Sequence, residues 1–307
     1  MMRTPKSTGS IIAVALCLYN IPAIAQPLQL TPPQIIAQLS PEQEAQASLK
    51  RGFELFQQGT AKSLQAAIPY LEKAVTLYEP IGDQTNQATA LFGLGRIHNL
   101  LGENQLALES YNQALPLLQA VGNQTGEVTA LIGIGYVYDA LGEKQKALEH
   151  YNQALPLLQK VGDRRVEAVT LNNIGKVYSD LGEFQKALDY YNQALPLRRT
   201  AGDTSDDTLR DRSGEAATLN NIGYIYYDLK EFQKALEYYN QALPISQEVG
   251  NRRGEAATLN NIGQVYNALG EFQKALKYYN QALPISQAVG DRTLAAKILV
   301  NIANVQR

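Results

Sequence analysis

DRSGEAATLNNIGYIYYDLKEFQKALEYYNQALPISQEVG, residues 211–250, is one of three near-copies of a forty-residue block. It follows DRRVEAVTLNNIGKVYSDLGEFQKALDYYNQALPLRRTAG (163–202) and precedes NRRGEAATLNNIGQVYNALGEFQKALKYYNQALPISQAVG (251–290). Looser copies occupy 83–122 and 123–162, a weaker one 43–82, and a partial one 291–307. A unit of this length cannot bury its apolar face alone, so the copies must stack into a solenoid. The 307 residues are long enough for two globular domains, but the period overrides that prior.

Within 163–202 the apolar residues Val169, Leu171, Ile174, Val177, Tyr178 and Leu181 recur mostly at spacings of three and four. This predicts an amphipathic helix from Arg164 to about Asp180, termed A, which Asp163 can cap. Leu181-Gly182-Glu183 reads as a turn with Gly182 at positive φ, and a second helix, B, runs on to Gly202. Each copy is thus a helical hairpin, and the chain is all-α. Gly175 sits inside helix A, where glycine costs about 1 kcal/mol relative to alanine. It recurs as Gly95, Gly135, Gly223 and Gly263, and Ala187 and Ala194 recur in helix B. Small residues there let the two helices approach, and the recurring rings of Tyr178 and Tyr191 would fill the gaps. Pro116, Pro156, Pro196, Pro244 and Pro284 lie inside each helix B and should bend it.

Leu171, Ile174-Gly175, Tyr178, Ala187, Tyr191 and Ala194 together resemble the tetratricopeptide repeat. The resemblance implies a right-handed superhelical solenoid of antiparallel helix hairpins over 43–307. The family unit is about 34 residues, so helix B is longer here, and Arg199 stands where the family closes with proline. TLNNIG resembles kinesin light chain repeats, and the VGDR…GEA linker resembles repeats of Pins-type adaptors. Both families bind peptide segments of partners on a concave face lined by helix A. The asparagine before the Ile-Gly pair often bonds the bound peptide's backbone there.

Carried onto this chain, that asparagine is Asn173, Asn221, Asn261 and, in the partial copy, Asn301, with Asn172, Asn220 and Asn260 beside it. An amide offers both a donor and an acceptor to a peptide unit. One turn later the groove would hold Lys176, Tyr224 and Tyr227. The two earlier copies carry Gly93 and Gly133 in place of the asparagine, and Phe92 and Ile132 before it. The groove is therefore expected to be apolar and open near its N-terminal end and amide-lined beyond. The alternatives are that near-identical copies reflect recent duplication, with the asparagines kept by descent, or that the asparagines satisfy neighbouring helix ends.

Residues 1–25 read as a signal peptide. Arg3 and Lys6 precede the apolar run IIAVALCLY (11–19), and Ala23-Ile24-Ala25 fits a cleavage site. The run is shorter than the about 20 residues of a membrane span. Export to the periplasm or beyond a bacterial cell is the expectation, with cleavage near Ala25. Cleavage would remove Cys17, the one cysteine, and leave a net charge of 25 − 29 = −4. Leu16 before Cys17 argues against lipid attachment, because a small residue is wanted there. Residues 26–42, punctuated by four prolines, read as a linker. An acidic balance lacks the basic stripe that nucleic acid requires.

No Ser-His-Asp order, phosphate loop or zinc motif is present, so no catalytic residue, cofactor or metal is assigned. His98 and His150 replace tyrosines of other copies and read as packing substitutions. DTSDDTLR (203–210), the one large insertion, is expected to be an exposed loop. Lys230 replaces the turn glycine of its copy. The expected function is a non-enzymatic scaffold holding a peptide or protein partner. The alternatives are a regulatory piece of a larger effector, such as one with a caspase-like protease domain, or a homo-oligomeric structural protein.

Overall fold

The computed structural model describes residues 39–200 and 205–307, so the readings of residues 1–25 and most of the linker lie outside the described residues. Among the described residues there are thirteen helices and no strand. They are α1 (Pro41–Gln57), α2 (Ala61–Ile81), α3 (Gln84–Leu101), α4 (Asn104–Ala120), α5 (Gln124–Ala140), α6 (Lys144–Val161) and α7 (Arg164–Asp180). The remainder are α8 (Phe184–Thr200), α9 (Ser205–Asp228), α10 (Phe232–Glu248), α11 (Arg252–Ala268), α12 (Phe272–Ala288) and α13 (Arg292–Gln306). Odd-numbered helices are the A helices. α1 begins at Pro41, inside the segment expected to be linker, since proline suits the first turn of a helix.

Local chemistry explains the boundaries. Asp83, Asn123, Asp163, Asn251 and Asp291 each accept a hydrogen bond from the backbone N–H three residues on, at 2.9–3.0 Å. The A-to-B turn is closed by Gly182 (φ 75°), with Gly182 N–H on Ser179 O and Glu183 N–H on Tyr178 O. The same bonds form at Lys230, which takes φ 63°, the one positive φ of a non-glycine residue among those described. A side chain in that left-handed well costs about 1–2 kcal/mol. Lys230→Gly should therefore raise stability by about 1 kcal/mol, offset by the loss of the contact of Lys230 Nζ, 5.5 Å from the Tyr227 ring. A shift of the urea midpoint to higher concentration checks this.

Packing follows the small residues. A Cβ added at Gly175 would lie 2.7 Å from the Tyr191 ring, and Gly95, Gly135, Gly223 and Gly263 meet Tyr111, Tyr151, Tyr239 and Tyr279 in the same way. The mid-helix glycine is thus the seat of a buried tyrosine from its own helix B. The B helices run through their prolines as single helices.

Each A helix packs on its own B helix and on the B helix before it. Successive A helices also touch one another, whereas successive B helices do not among the described residues. A stack whose A edges are closer than its B edges curves toward the A helices, so they form the inner, concave face.

Candidate functional site

Along the A helices the asparagines bond to each other. Asn221 Nδ2 donates to Asn172 Oδ1 (3.4 Å), Asn261 to Asn220 (3.2 Å) and Asn301 to Asn260 (3.0 Å). The buried Thr218 and Thr258 hydroxyls lie 3.2 Å from the same Asn172 and Asn220 oxygens, and nearer, at 3.0 and 2.9 Å, to the carbonyls of Gly214 and Gly254. The second asparagine of each copy thus reaches back to the first asparagine of the copy before. Asn173 has no such acceptor, because Ile132 stands at the matching place. The amides do form a ladder, and its rungs are bonds between copies. Each of Asn221, Asn261 and Asn301 spends one of two N–H donors, which leaves the other for a ligand. Asn220→Ala removes the acceptor of Asn261 and should cost about 0.5–1.5 kcal/mol, the net worth of one hydrogen bond, since the Thr258 hydroxyl keeps the Gly254 carbonyl at 2.9 Å. Thermal unfolding beside the wild-type chain measures it.

One turn along, the concave face carries Arg96, Tyr136, Lys176, Tyr224 and Gln264 from successive A helices. Tyr136 and Tyr224 are the outward rings, 53% and 45% exposed. Tyr224 is hydrogen-bonded to Asp228, and burial and then that carboxylate raise its phenol pKa. Tyr227 is spent within the array, its ring 5.8 Å from that of Phe232. Arg96 lies 4.8 Å from the Phe56 ring centroid, and burial lowers its pKa.

Lys176 belongs to a four-member network across three helices. Its Nζ lies 3.1 Å from Asp139 and 2.9 Å from Asp180, and Lys144 Nζ lies 2.5 and 2.6 Å from the same two carboxylates. Burial pushes the Asp180 pKa up, but the hydrogen bonds from Lys144 and Lys176 outweigh it and hold the carboxyl below its ordinary value. Two lysines and two aspartates cancel within this network. Toward the N-terminal end, Gly93 and Gly133 do not open the groove. A Cβ at Gly133 would lie 2.8 Å from the Tyr111 ring, and one at Gly93 would lie 3.0 Å from Leu71 and Phe53. They are glycines because the preceding copy presses against them.

The outer edge holds a second series that spacing did not reveal. Tyr178–Tyr190, Tyr226–Tyr238 and Tyr266–Tyr278 stack at 5.4–5.5 Å, and Tyr138–His150 does the same. Lys146, Lys186, Lys234 and Lys274 cover the other face of the A-helix ring at 5.1–5.2 Å. Each lysine is also paired with the glutamate three residues before it. His150 is thus a packing substitution, and burial lowers its pKa. His98 is buried and bonds Glu103 at 2.6 Å. No group of three metal-binding side chains exists among the described residues.

The insertion is not a loop where it is described: residues 205–210 are helical and extend α9 to 24 residues. Asp203 lies outside the described residues. The extension has a consequence at Asp211, which aligns with the capping Asp163. Inside a continuous helix it cannot cap, and its buried carboxylate instead faces Arg198 at 3.5 Å. Arg198 in turn replaces the buried Leu158 of the preceding copy.

The family model for the tetratricopeptide repeat matches residues 60–120, 126–200, 214–288 and 254–307, and a second model of that description matches 172–249. The chain belongs to the tetratricopeptide repeat family. No curated protein matches it in sequence. Its fold is similar to that of a signal transduction ATPase with numerous domains (STAND) from Pyrococcus horikoshii, which has a tetratricopeptide repeat sensor. The two are 21% identical with a TM-score of 0.69, over 86% of this chain and 39% of that one. It is also similar to the apo quorum sensor NprR from B. thuringiensis (17% identity, TM-score 0.66, 89% of this chain and 84% of that). NprR in complex with its cognate peptide NprX matches at 18% identity and TM-score 0.60, over 87% and 74% of the two chains. At these identities the likeness is one of fold. The repeat chain spans well under half of the STAND protein.

Proposed function

We propose that this repeat array is a non-enzymatic scaffold that holds an extended peptide or protein segment along the A-helix face. The observation that carries the reading is the concave row itself. It presents outward-facing Tyr136 and Tyr224, the second on the same helix as Asn221, and Asn221 and Asn261 keep one N–H each after the array's own bonds are made. Rings supply area with few rotatable bonds, and amides supply backbone hydrogen bonds, the combination that recognises an extended chain. The solved NprR–NprX complex is a peptide held by the same fold, which supports the reading. The leader-like residues 1–25 support action after export. A second reading, a regulatory array within a longer effector, is favoured by the 39% coverage of the STAND protein.

The test is selection of peptides from a displayed random library on the full chain. Tyr136→Ala with Tyr224→Ala should weaken the selected peptides about tenfold or more, with the melting temperature nearly unchanged. Equal binding by this variant, or no selected peptide at all, would sink the groove reading.

A further inference from the structure

The chain has two histidines, and both stand where later copies hold a tyrosine of the outer stacks. Their surroundings differ. His98 is buried with Nδ1 2.6 Å from the Glu103 carboxylate, so a proton on that nitrogen meets an acceptor. His150, on α6, lies nearly parallel to the Tyr138 ring of α5, with 10° between the planes and 5.5 Å between centroids. Its Nδ1 is buried and has no hydrogen-bond partner among the described residues.

Protonation places an N–H on both ring nitrogens. At His150 the new charge would be half-buried, and Nδ1 would carry a buried donor without an acceptor. Lys146, one turn earlier on α6, already lies over the Tyr138 ring at 5.1 Å. The imidazolium would be a second cation on that ring and a like-charge neighbour at i,i+4. Glu143 is taken by Lys146 at 2.5 Å, and the charge of Glu149 favours a protonated ring less than burial disfavours it. The other charges on the helices packed against α6 are engaged elsewhere or lie far along it. On α5, Glu127 meets Gln119 and Asp139 meets Lys144. On α7, Lys176 and Asp180 join the Lys144 network, Glu167 meets Gln159, and Arg164 and Arg165 follow the C-terminal end of α6. Tyr178 of α7 packs in the same apolar cluster as Tyr138. The folded ring therefore favours its neutral form, with a pKa below the ordinary value of about 6.5. A histidine depressed in this way contributes its full stability above that value. The contribution is lost as pH falls from there through the folded value.

We propose that His150 is a pH-sensitive latch of the second hairpin: neutral, it seats on Tyr138 and keeps α5 and α6 together, and protonated, it loosens them. Tyr136 is on α5, so a segment lying across that ring would be held less tightly in mild acid. That consequence rests on the groove reading, whereas the change in stability does not.

The experiment is amide hydrogen exchange on the full chain at about pH 7.5 and about pH 5.5, either side of the ordinary histidine value. Wild type is compared with His150→Tyr at each pH, so the intrinsic exchange chemistry cancels. Tyrosine is the residue that Tyr190, Tyr238 and Tyr278 supply at this place, and His150→Phe is the second variant should the hydroxyl disturb the hairpin. In α5 and α6, the ratio of wild-type to variant exchange should rise severalfold at the lower pH. His98→Gln should keep that rise. A ratio independent of pH, or a rise abolished by His98→Gln, would overturn the latch. Peptides selected on the array that depend on Tyr136 should bind severalfold more weakly at the lower pH, and His150→Phe should remove this loss. Binding unchanged by pH beside a clear exchange response would leave the latch standing and remove its link to the groove. A failure to select any peptide would count against the groove alone, because the exchange ratio decides the latch by itself.

Discussion

Tyr239→Ala should lower the stability of the array by about 3–5 kcal/mol, the cost of deleting a fully buried aromatic ring. The ring is 1% exposed and sits among Ala235, Leu236, Ile262 and Val265. It also lies on the bare backbone of Gly223, where an added Cβ would be 2.7 Å away. Helices α9, α10 and α11 meet around it, so the cavity would open within one hairpin and against the next. Glycine at 223 makes the deletion worse, because no neighbouring side chain can move in from that side. A solenoid has no distant contacts to compensate, and the loss should appear as a split transition, with the halves on either side unfolding separately. Urea unfolding followed by circular dichroism measures it, with Tyr238→Ala as the comparison. Tyr238 is half-buried and stacked on Tyr226 at 5.4 Å, and its removal should cost much less. Equal losses for the two variants would show that the seat at Gly223 is not special.

Asp211→Ala should be comparably severe, about 3–5 kcal/mol, for an electrostatic reason. The Asp211 side chain is 2% exposed and that of Arg198 10%, with 3.5 Å between them. The guanidinium is pressed on Gly214, where an added Cβ would lie 2.6 Å from Cζ. Burial, and to a lesser degree the charge of Arg165, lower the Arg198 pKa, and the Asp211 carboxylate opposes that shift. Removing the carboxylate leaves a buried cation with its desolvation uncompensated. The double variant Asp211→Ala with Arg198→Leu separates this from simple loss of packing. It restores the leucine that the preceding copy holds at Leu158, and it should regain most of the stability, since apolar replacement of a buried pair is often neutral. A double variant as unstable as the single one would refute the ion-pair account.

Much of this architecture was legible because it is written in local spacing. The 3.6-residue period, the capping Asp163 and the turn at Gly182 each concern residues within a few positions of one another. Gly175 and Tyr191 lie within one hairpin, so their contact also follows once the hairpin is recognised. The candidate surface was legible in composition but not in wiring. Asn172 and Asn221 were visible as amides on helix A, yet their mutual bond spans 49 positions and depends on the stagger between copies. The same holds for the Lys144–Asp180 and Arg253–Asp291 bridges. The insertion misled for a related reason: its polar residues suit a loop, but the helix that follows extends back through them.

By itself, then, the sequence determined that this chain is a stack of helical hairpins, and where most of its helices start and stop. Hydrophobic period and capping are nearest-neighbour physics, and a repeated sequence states them several times over. The tertiary structure alone decided which amides are spent on each other and which lysines are cancelled by aspartates. Those are sums over charges and donors brought within a few ångströms by the curvature of the stack, and no local rule of sequence carries that curvature.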